Sequence, residues 1–408
     1  MQLIGPFKQI LPLTGLPLKG ALKDEQLKII EEGGVIVDGR HVVAVGSFHA
    51  LQEEYPQANM QHIDYPAVLV PGFIDCHTHI CFDGNRSRDY AMRIAGKSYL
   101  EIARAGGGIW DSVTKTRQAS EEVLINNTVA RANRHLHEGV TTIEVKSGYG
   151  LDGENELKML RAINEASMRT EATIISTCLA AHMKPKDYEG TEEAYLQWVL
   201  DELLPTLQAE NLTNRVDIFI EETAFNTQVA QTFLAAAAAK GFEITVHADQ
   251  FTTGGSQVAV AVNAVSADHL EASTDAEVAL LAESNTVAVV LPGASLGLGM
   301  QYAPARQLLD GGACVAIASD WNPGSAPMGD LLLQAAVMSA AQKLSAAEVF
   351  AGVTVRAAKA LSLQNVGTIA TGMDADLQAY PCSDYRDILY YQGKLKPVQV
   401  WKHGHPIF

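Results

Sequence analysis

The strongest constraint on the fold is a series of eight apolar, β-rich segments that alternate with helical segments between about residues 67 and 363. The apolar segments span residues 68–75, 141–145, 172–181, 216–220, 242–246, 264–267, 286–291 and 314–318. They are apolar throughout rather than at every second position, which predicts strands buried on both faces. The segments between them carry helix formers at a spacing of about 3.6 residues. Eight βα units of this kind predict an α/β fold, a TIM (β/α)8 barrel rather than an open doubly wound sheet.

Both ends of the chain are β-rich and lie outside this repeat. Residues 34–46 are two strand-like runs joined through Asp38-Gly39, a strong hairpin signal. Residues 376–380 and 398–402 are short strand-like pieces near the C-terminus. We therefore predict a small β-sandwich built from both chain ends, with residues 1–66 and 369–408 forming its two parts and residues 67–368 forming the barrel.

Charge and cysteine content exclude several classes of protein. With 30 basic and 47 acidic residues the net charge is −17, which leaves no basic surplus for nucleic acid or an anionic membrane surface. The five cysteines are odd in number and scattered, which is atypical of a disulfide framework and favours a reducing compartment. No stretch approaches the ~18 uninterrupted apolar residues of a membrane span. We expect a soluble cytoplasmic protein.

Polar side chains with catalytic potential occur where the predicted strands end. Five of the twelve histidines lie at these carboxyl ends, and an aspartate ends the eighth segment; they are His77, His79, His182, His247, His269 and Asp320. In a βα barrel these ends converge on one face, where barrel enzymes carry out their chemistry. The sequence therefore predicts one active site built from segments that are far apart along the chain.

His77 and His79 are two residues apart after the first apolar segment, so an extended backbone would turn both imidazoles to the same side. Cys81 shares this parity and would be a further candidate ligand if the strand continued. His135 and His137 have the same spacing within a predicted helix, where they would point about 200° apart and could not share an ion. We assign that second pair to a solvated helix face.

His77, His79, His247 and Asp320 together form a nitrogen and oxygen donor set that suits zinc or iron, with room for a bound water. Such an ion would lower the pKa of the water towards neutrality and so supply a hydroxide nucleophile. Hydrolysis is the reaction class that this donor set favours.

Seven motifs carry a family resemblance. They are PGFIDCHTH, GNRSRDYAMR, SYLEIARAGGGI, TTIEVKSGYGLD, HADQF, SADHLE and SDWNPGS, and they resemble the imidazolonepropionases, a branch of the amidohydrolase superfamily. The resemblance covers residues 71–325 and continues weakly to about residue 363. The H-x-H pattern marks only the superfamily, whereas AGGGI, EVKSGYG and D-x-N-P-G-S are specific to this branch.

The resemblance implies one divalent or trivalent metal ion, zinc or iron, held by His77, His79, His247 and Asp320. Superfamily members with two metals bridge them with a carboxylated lysine on the fourth strand, but the corresponding residues 216–222 contain no lysine. Lys146 lies on the second segment instead, which indicates a structural cation or one that supports the ligands. The resemblance also implies a homodimer.

The substrate implied by the resemblance is a small anionic heterocycle, 4-imidazolone-5-propanoate, which L-histidine degradation opens to N-formimidoyl-L-glutamate. Arg86 matches the family's substrate arginine, whose planar fork suits a carboxylate. The other residues that match substrate contacts are Tyr99, Tyr149, His182, Gln250, Asn322, Gly324 and Ser325. Asp320 or His269 would act as the catalytic base, because Gln250, which some members replace by glutamate, cannot accept a proton near neutral pH.

Two alternatives remain at this point. The chain could be another amidohydrolase or a deaminase that acts on a small nitrogen heterocycle. It could also be an inactive interaction protein on the same fold, although that reading predicts missing ligands and all four ligand positions are occupied.

Overall fold

The computed structural model describes residues 1–97 and 99–408, apart from the side chains of Tyr99, Leu100 and Ala103. The strands are β1 Gln2–Ile10, β2 Ile30–Asp38, β3 His41–Ser47, β4 Asn59–His62, β5 Val68–Pro71, β6 Phe73–Asp75, β7 Val140–Lys146, β8 Thr173–Ala181, β9 Arg215–Phe219, β10 Glu243–Ala248, β11 Ser266–His269, β12 Val287–Val290, β13 Val315–Ile317, β14 Leu377–Tyr380, β15 Gln399–Lys402 and β16 His405–Pro406.

The α-helices are α1 Phe48–Glu54, α2 Ser87–Ile94, α3 Tyr99–Arg104, α4 Ile109–Gln118, α5 Glu121–His137, α6 Gly153–Arg169, α7 Glu192–Trp198, α8 Leu204–Ala209, α9 Thr227–Ala239, α10 Gly255–Ala261, α11 Asp275–Glu283, α12 Pro292–Leu298, α13 Ala305–Gly311, α14 Leu331–Gln342, α15 Ala346–Gly352, α16 Val355–Ala360 and α17 Arg386–Tyr390. A short 3-10 helix spans Asp24–Gln26, and a π-helical turn, Val199–Leu203, links α7 to α8.

The predicted TIM barrel is confirmed. Strands β6 to β13 form one parallel sheet in sequential order, and β7 and β9 are buried along their whole length, as apolar strands covered on both faces should be. Helices between the strands begin where the sequence supplies capping side chains. Ser120, Asp152 and Asn226 accept hydrogen bonds from backbone N–H groups in the first turns of α5, α6 and α9.

The first and last barrel strands meet through residues just beyond their carboxyl ends. Asp320 N donates to His77 O at 3.0 Å, and His79 N donates to Trp321 O at 2.9 Å. Thr78 and Trp321 also form an isolated parallel bridge. This seam closes the barrel and brings two histidines of the H-x-H pair beside Asp320, which is about 240 residues away in the sequence.

The apolar segment 68–75, which we expected to be a single strand, is two strands in two different sheets. Val68–Pro71 pairs with β1 and β14 of the terminal sheet, whereas Phe73–Asp75 pairs with β7 of the barrel. Gly72 lies between them, where an added Cβ would come within 2.3 Å of the Thr141 side chain. Only a residue without a side chain lets the chain pass so close to Thr141 as it changes sheets.

The two chain ends form one mixed sheet with the strand order β16-β15-β14-β5-β1-β2-β3, and β4 pairs with β1. Side chains from both ends, including Phe7, Val35, Leu69, Leu377 and Trp401, share a separate hydrophobic core. The two β-rich ends thus form one small β domain separate from the barrel, as their sequences predicted. The domain boundaries at residues 66/67 and 368/369 stay predictions.

The second H-x-H pair differs from its predicted environment. His135 is fully buried, and its Nε2 lies 3.0 Å from Asp75 Oδ2, so its assignment to a solvated helix face was wrong. Its ring also packs edge-on against Trp321. His137 is exposed and stacks on Phe408. The helix directs the two rings to opposite sides, so His137 faces solvent and His135 lies against Asp75 on the first barrel strand.

Within the described part of the chain, no helix combines the length and the apolar composition that spanning a bilayer would require.

Candidate metal and active site

A cavity of about 560 Å³ opens at the carboxyl ends of the barrel strands. The predicted site residues that line it are His79, Arg86, Tyr149, His182, His247, Gln250, His269, Asp320, Asn322 and Ser325. Tyr99 belongs to the predicted set, but its side chain lies outside the described residues. The barrel thus gathers predicted residues from the ends of six of its eight strands around one space.

Three histidines converge at the base of this cavity. The Nε2 atoms of His77 and His247 each lie 3.2 Å from Nε2 of His79, and all three side chains are buried. Among the described residues these three form the one cluster whose ligand atoms could hold a metal ion. Cys81 is not part of it, since its Sγ contacts Met159 O instead.

Carboxylates on two other barrel strands, β9 and β11, orient two of these rings. His77 Nδ1 lies 2.7 Å from Asp268 Oδ2, and His247 Nδ1 lies 2.9 Å from Asp217 Oδ2. A carboxylate can only accept, so the imidazole proton lies on Nδ1 and the Nε2 lone pairs face one another. The Nε2 lone pairs of His77 and His247 therefore lie beside Nε2 of His79, and three buried imidazole nitrogens this close together fit a metal ion.

Lys146 connects the supporting carboxylates below the histidines. Its Nζ lies 2.6 Å from Glu144 Oε1, 2.9 Å from Asp217 Oδ2 and 3.9 Å from Asp268 Oδ2, and all four residues are buried. Burial alone would lower the pKa of Lys146, but the charges of Asp217 and Glu144 raise it above its usual value. The lysine therefore stays charged and offsets two carboxylates that hold histidine rings, in agreement with its predicted supporting role.

Asp320, the fourth predicted ligand, lies beside the three histidines at the barrel seam. Its Oδ1 lies 3.4 Å from His79 Nε2 and 3.6 Å from His77 Nε2. Burial raises the pKa of Asp320 to about 7, against the opposing charge of His269. Burial would lower the pKa of His269, but Glu271, 3.4 Å from its Nδ1, raises it. Asp320 can therefore exchange a proton near neutral pH, and His269 holds its proton more strongly than a free imidazole does.

The backbone at these two positions is strained. Asp320 has a φ of 48° and His269 a φ of 91°, in the left-handed region that residues with a side chain rarely adopt. Such conformations cost about 1–3 kcal/mol each and persist only where the surrounding structure enforces them. The barrel thus maintains two unfavourable conformations at the positions where the candidate acid and base groups project.

Arg86 lies on the cavity wall in a fixed orientation. Its Nε donates to Asp89 Oδ2 at 2.8 Å, and Gly108 N donates to the same oxygen at 2.8 Å. A Cβ on Gly324 would come within 2.3 Å of Arg86 Nη1, so the glycine makes room for the guanidinium. The side of Arg86 that bears the two Nη atoms is therefore available to a carboxylate ligand.

His182 and Tyr149 lie beside His79 on the cavity wall. His182 Nδ1 donates to Gly148 O at 2.9 Å, which leaves Nε2 as an acceptor for a ligand N–H group. Burial lowers the pKa of His182 to about 3, so the ring is neutral. Burial raises the pKa of Tyr149, which keeps its hydroxyl protonated.

The last predicted residues form two loops. Asn322 Oδ1 accepts from Gly324 N at 2.7 Å and from Ser325 N at 2.8 Å, and Ser325 Oγ donates to Asp320 Oδ2 at 3.3 Å. Gln250 precedes a segment whose two backbone N–H groups, at residues 251 and 252, donate to the buried Glu221 carboxylate. These contacts brace the loops that follow the eighth and fifth barrel strands against the cavity.

Sequence reasoning missed several residues of this site, namely Glu144, Asp217, Asp268, Asp89, Glu221 and Glu271. For Glu144, Asp217 and Asp268 a signal was present, because a charged residue inside an otherwise apolar, doubly buried strand must find a partner within the barrel. Asp89 and Glu221 lie outside the apolar strands, so nothing in the local sequence marks them. Asp89 pairs with Arg86, and Glu221 accepts from backbone N–H groups.

Comparison with known proteins agrees with this geometry. The model of the amidohydrolase family matches residues 68–407. The imidazolonepropionase of Acinetobacter baumannii (strain AB307-0294) is 40% identical over 391 residues, which cover 95% of this chain and 96% of that protein. The atrazine chlorohydrolase TrzN of Arthrobacter aurescens TC1, complexed with zinc, is similar in structure with a TM-score of 0.72, at 15% identity over 100% of this chain and 95% of that one.

An adenosine deaminase from Xanthomonas campestris with bound zinc has a TM-score of 0.70 at 18% identity, over 99% of this chain and 92% of that one. At such low identities the structural likeness concerns the fold alone. The sequence match to the imidazolonepropionase is much higher and extends over nearly the whole of both chains. The chain therefore belongs to the amidohydrolase family and, within it, to the imidazolonepropionases.

Proposed function

We propose that this protein hydrolyses the cyclic amide of 4-imidazolone-5-propanoate to N-formimidoyl-L-glutamate, a step of L-histidine degradation. The observation that carries the proposal is the convergence of three histidine Nε2 atoms, a buried aspartate and a held arginine around one cavity. The whole-length match to an imidazolonepropionase selects this reaction among the hydrolyses that the amidohydrolase fold supports.

His77, His79, His247 and Asp320 would hold one metal ion, which we propose to be zinc or iron, since nitrogen and oxygen donors suit both. The ion when bound supplies an activated water nucleophile at neutral pH. The supporting carboxylates Asp217 and Asp268 fix the rings of His247 and His77 in the orientation that this ligation requires.

The proton transfers fall to two residues of this chain. Asp320 or His269 accepts the proton of the attacking water, and the same group returns it to the ring nitrogen that leaves when the lactam C–N bond breaks. His269, whose raised pKa favours the imidazolium, can also donate a hydrogen bond to the oxyanion of the tetrahedral intermediate. Gln250 can only form hydrogen bonds with the substrate.

Substrate binding is assigned to the cavity wall. We propose that Arg86 binds the propanoate carboxylate, that His182 Nε2 accepts from a ring N–H, and that Tyr149 and the side chain of Tyr99 contact the substrate. Asn322, Gly324 and Ser325 would contact it from the loop after the eighth strand. We further propose that the protein is a homodimer in the cytoplasm. We also propose that it binds neither nucleic acid nor a membrane, because its net charge of −17 would repel both.

A deaminase acting on a nitrogen heterocycle is the alternative on this fold. We expect the purified protein to consume 4-imidazolone-5-propanoate and to leave purine and pyrimidine amines unchanged, with about one equivalent of zinc or iron per chain by elemental analysis. Deamination of a purine or pyrimidine without imidazolone turnover would contradict the proposed function. A metal-free and inactive protein would favour the interaction-protein reading instead.

Arg86→Ala should raise KM for 4-imidazolone-5-propanoate by about 10- to 100-fold, because the substrate carboxylate loses a charge-assisted hydrogen bond of about 1.5–3 kcal/mol. Steady-state kinetics measure this, and Arg117→Ala is a control, since Arg117 pairs with Asp187 outside the cavity. An unchanged KM in Arg86→Ala would remove the carboxylate role from this residue.

A further inference from the structure

The cavity wall around Arg86 carries more positive than negative charge. Arg86 precedes the first residue of α2, and Asp89 and Arg93 follow it at successive spacings of three and four residues, which places them on one side of the helix. The ion pair between Arg86 and Asp89, at 2.8 Å, cancels the charge of Arg86 within the protein. Arg93 adds a second cation to the same wall and lines the same cavity.

Arg93 has a neutral partner only. Its Nη1 donates to Gly297 O, near the end of α12, at 2.6 Å. Among the described residues no carboxylate lies within 4.0 Å of its guanidinium nitrogens. Burial and then the nearby charge of Arg86 lower the pKa of Arg93, and the charge of Asp89 opposes this shift only in part.

The contact with Gly297 also holds Arg93 in place. It joins α2 to the end of α12 across 204 residues of sequence, so the guanidinium cannot swing freely into solvent. One Nη atom is used in this contact, and the other donors of Arg93 have no protein partner in the described part of the chain. Those donors remain available to a ligand that enters the cavity.

Lys97 provides the contrast. It lines the same cavity four residues further on, but its Nζ lies 3.0 Å from Glu101 Oε1. Its charge is therefore already offset on the protein. Arg86 and Lys97 each have a carboxylate partner, whereas Arg93 has none among the described residues, so the net positive charge of this wall comes from Arg93.

We propose that Arg93 is a second carboxylate-binding residue, which pairs with the propanoate group beside Arg86 and makes the site selective for anionic ligands. The inference rests on the proposed function for the identity of the substrate. In a protein of net charge −17 the overall field repels an anion, so selectivity requires an uncompensated cation at short range. Arg86 orients the carboxylate, and Arg93 supplies the charge that a neutral analogue cannot use.

The test uses two ligands that lack the lactam, imidazole propanoate and its neutral amide, imidazole propanamide. Calorimetry measures the affinity of the metal-loaded full-length protein for each of them. The wild type should prefer the propanoate. Arg93→Gln should weaken propanoate binding by about 10- to 100-fold and amide binding by less than about threefold. Lys97→Gln, the matched control, should change either affinity by less than about threefold.

Arg93→Lys tests whether a loss of affinity comes from the lost charge or from a disturbed cavity wall. Because this variant keeps a cation, it should bind the propanoate several-fold more tightly than Arg93→Gln does. Equal weakening of both ligands in Arg93→Gln, equal propanoate affinities of the two Arg93 variants, or a wild type without preference for the propanoate would overturn the proposal. Failure of the proposed function shows separately, as absent turnover of 4-imidazolone-5-propanoate by the wild type, since the binding measurement does not depend on hydrolysis.

Discussion

Replacing Asp320 by asparagine should lower kcat for imidazolone hydrolysis by about 10²- to 10⁴-fold, the usual contribution of a positioned acid or base. Asparagine has nearly the same shape and keeps an oxygen beside His77 and His79, but it cannot accept a proton. The carboxylate is buried, has a pKa raised to about 7 by that burial, and lies 3.4 Å from His79 Nε2. Steady-state kinetics at neutral pH, with elemental analysis of each preparation, measure the effect.

His269→Gln is the companion variant, because His269 is the other group that could transfer the proton. A larger loss in Asp320→Asn than in His269→Gln identifies the aspartate as the base, and the reverse order identifies the histidine. Asp249→Asn is a control for burial alone, since Asp249 is a buried aspartate that hydrogen-bonds Ser256 and Ser273. An Asp320→Asn enzyme with full metal content and nearly full turnover would exclude Asp320 from the chemistry.

Lys146→Met should destabilise the protein by about 3–5 kcal/mol, because it removes the cation from a buried cluster and leaves Glu144, Asp217 and Asp268 without their shared partner. Urea denaturation of the metal-free protein measures the change in the free energy of unfolding. A buried carboxylate without its cation keeps its proton to a higher pH than it does in the unfolded chain. The destabilisation should therefore grow as the pH rises.

Lys158→Met is the matched control for this prediction. Lys158 is only partly buried, and its Nζ donates to the backbone carbonyls of Thr116, Arg117 and Ala119 rather than to carboxylates. Its replacement removes hydrogen bonds but leaves no buried charge unpaired, so the loss should be closer to about 1 kcal/mol. A Lys146→Met protein no less stable than Lys158→Met would show that the carboxylate cluster does not depend on the lysine.

Local patterns in the chain were sufficient to predict the barrel. A strand buried on both faces must be apolar throughout, and a helix packed on a sheet must repeat its apolar residues every 3.6 positions, so each element can be recognised within its own few residues. The positions of His182, His247 and His269 at strand ends were visible for the same reason. Because all parallel strands of a barrel end on one face, those residues had to converge.

The same local patterns could not assign segment 68–75 or His135 correctly. Segment 68–75 is uniformly apolar, and nothing within it shows that Gly72 passes close to Thr141 where the chain changes sheets. The environment of His135 depends on Asp75, 60 residues earlier and on a different element. In both places the deciding contact lies outside the window that a sequence pattern samples.

The sequence by itself therefore determined the fold class, the candidate ligands and the face on which they meet, since these follow from periodicity and from the direction of the strands. Only the tertiary structure decided how charges are balanced around the ligands. The neutralisation of Asp217 by Lys146 and the cancellation of Arg86 by Asp89 depend on distances of a few ångströms, and so does the lack of a carboxylate beside Arg93 within the described part of the chain. Electrostatic energy inside a protein falls with distance and with exposure to water, and neither quantity can be read from the order of residues in a chain.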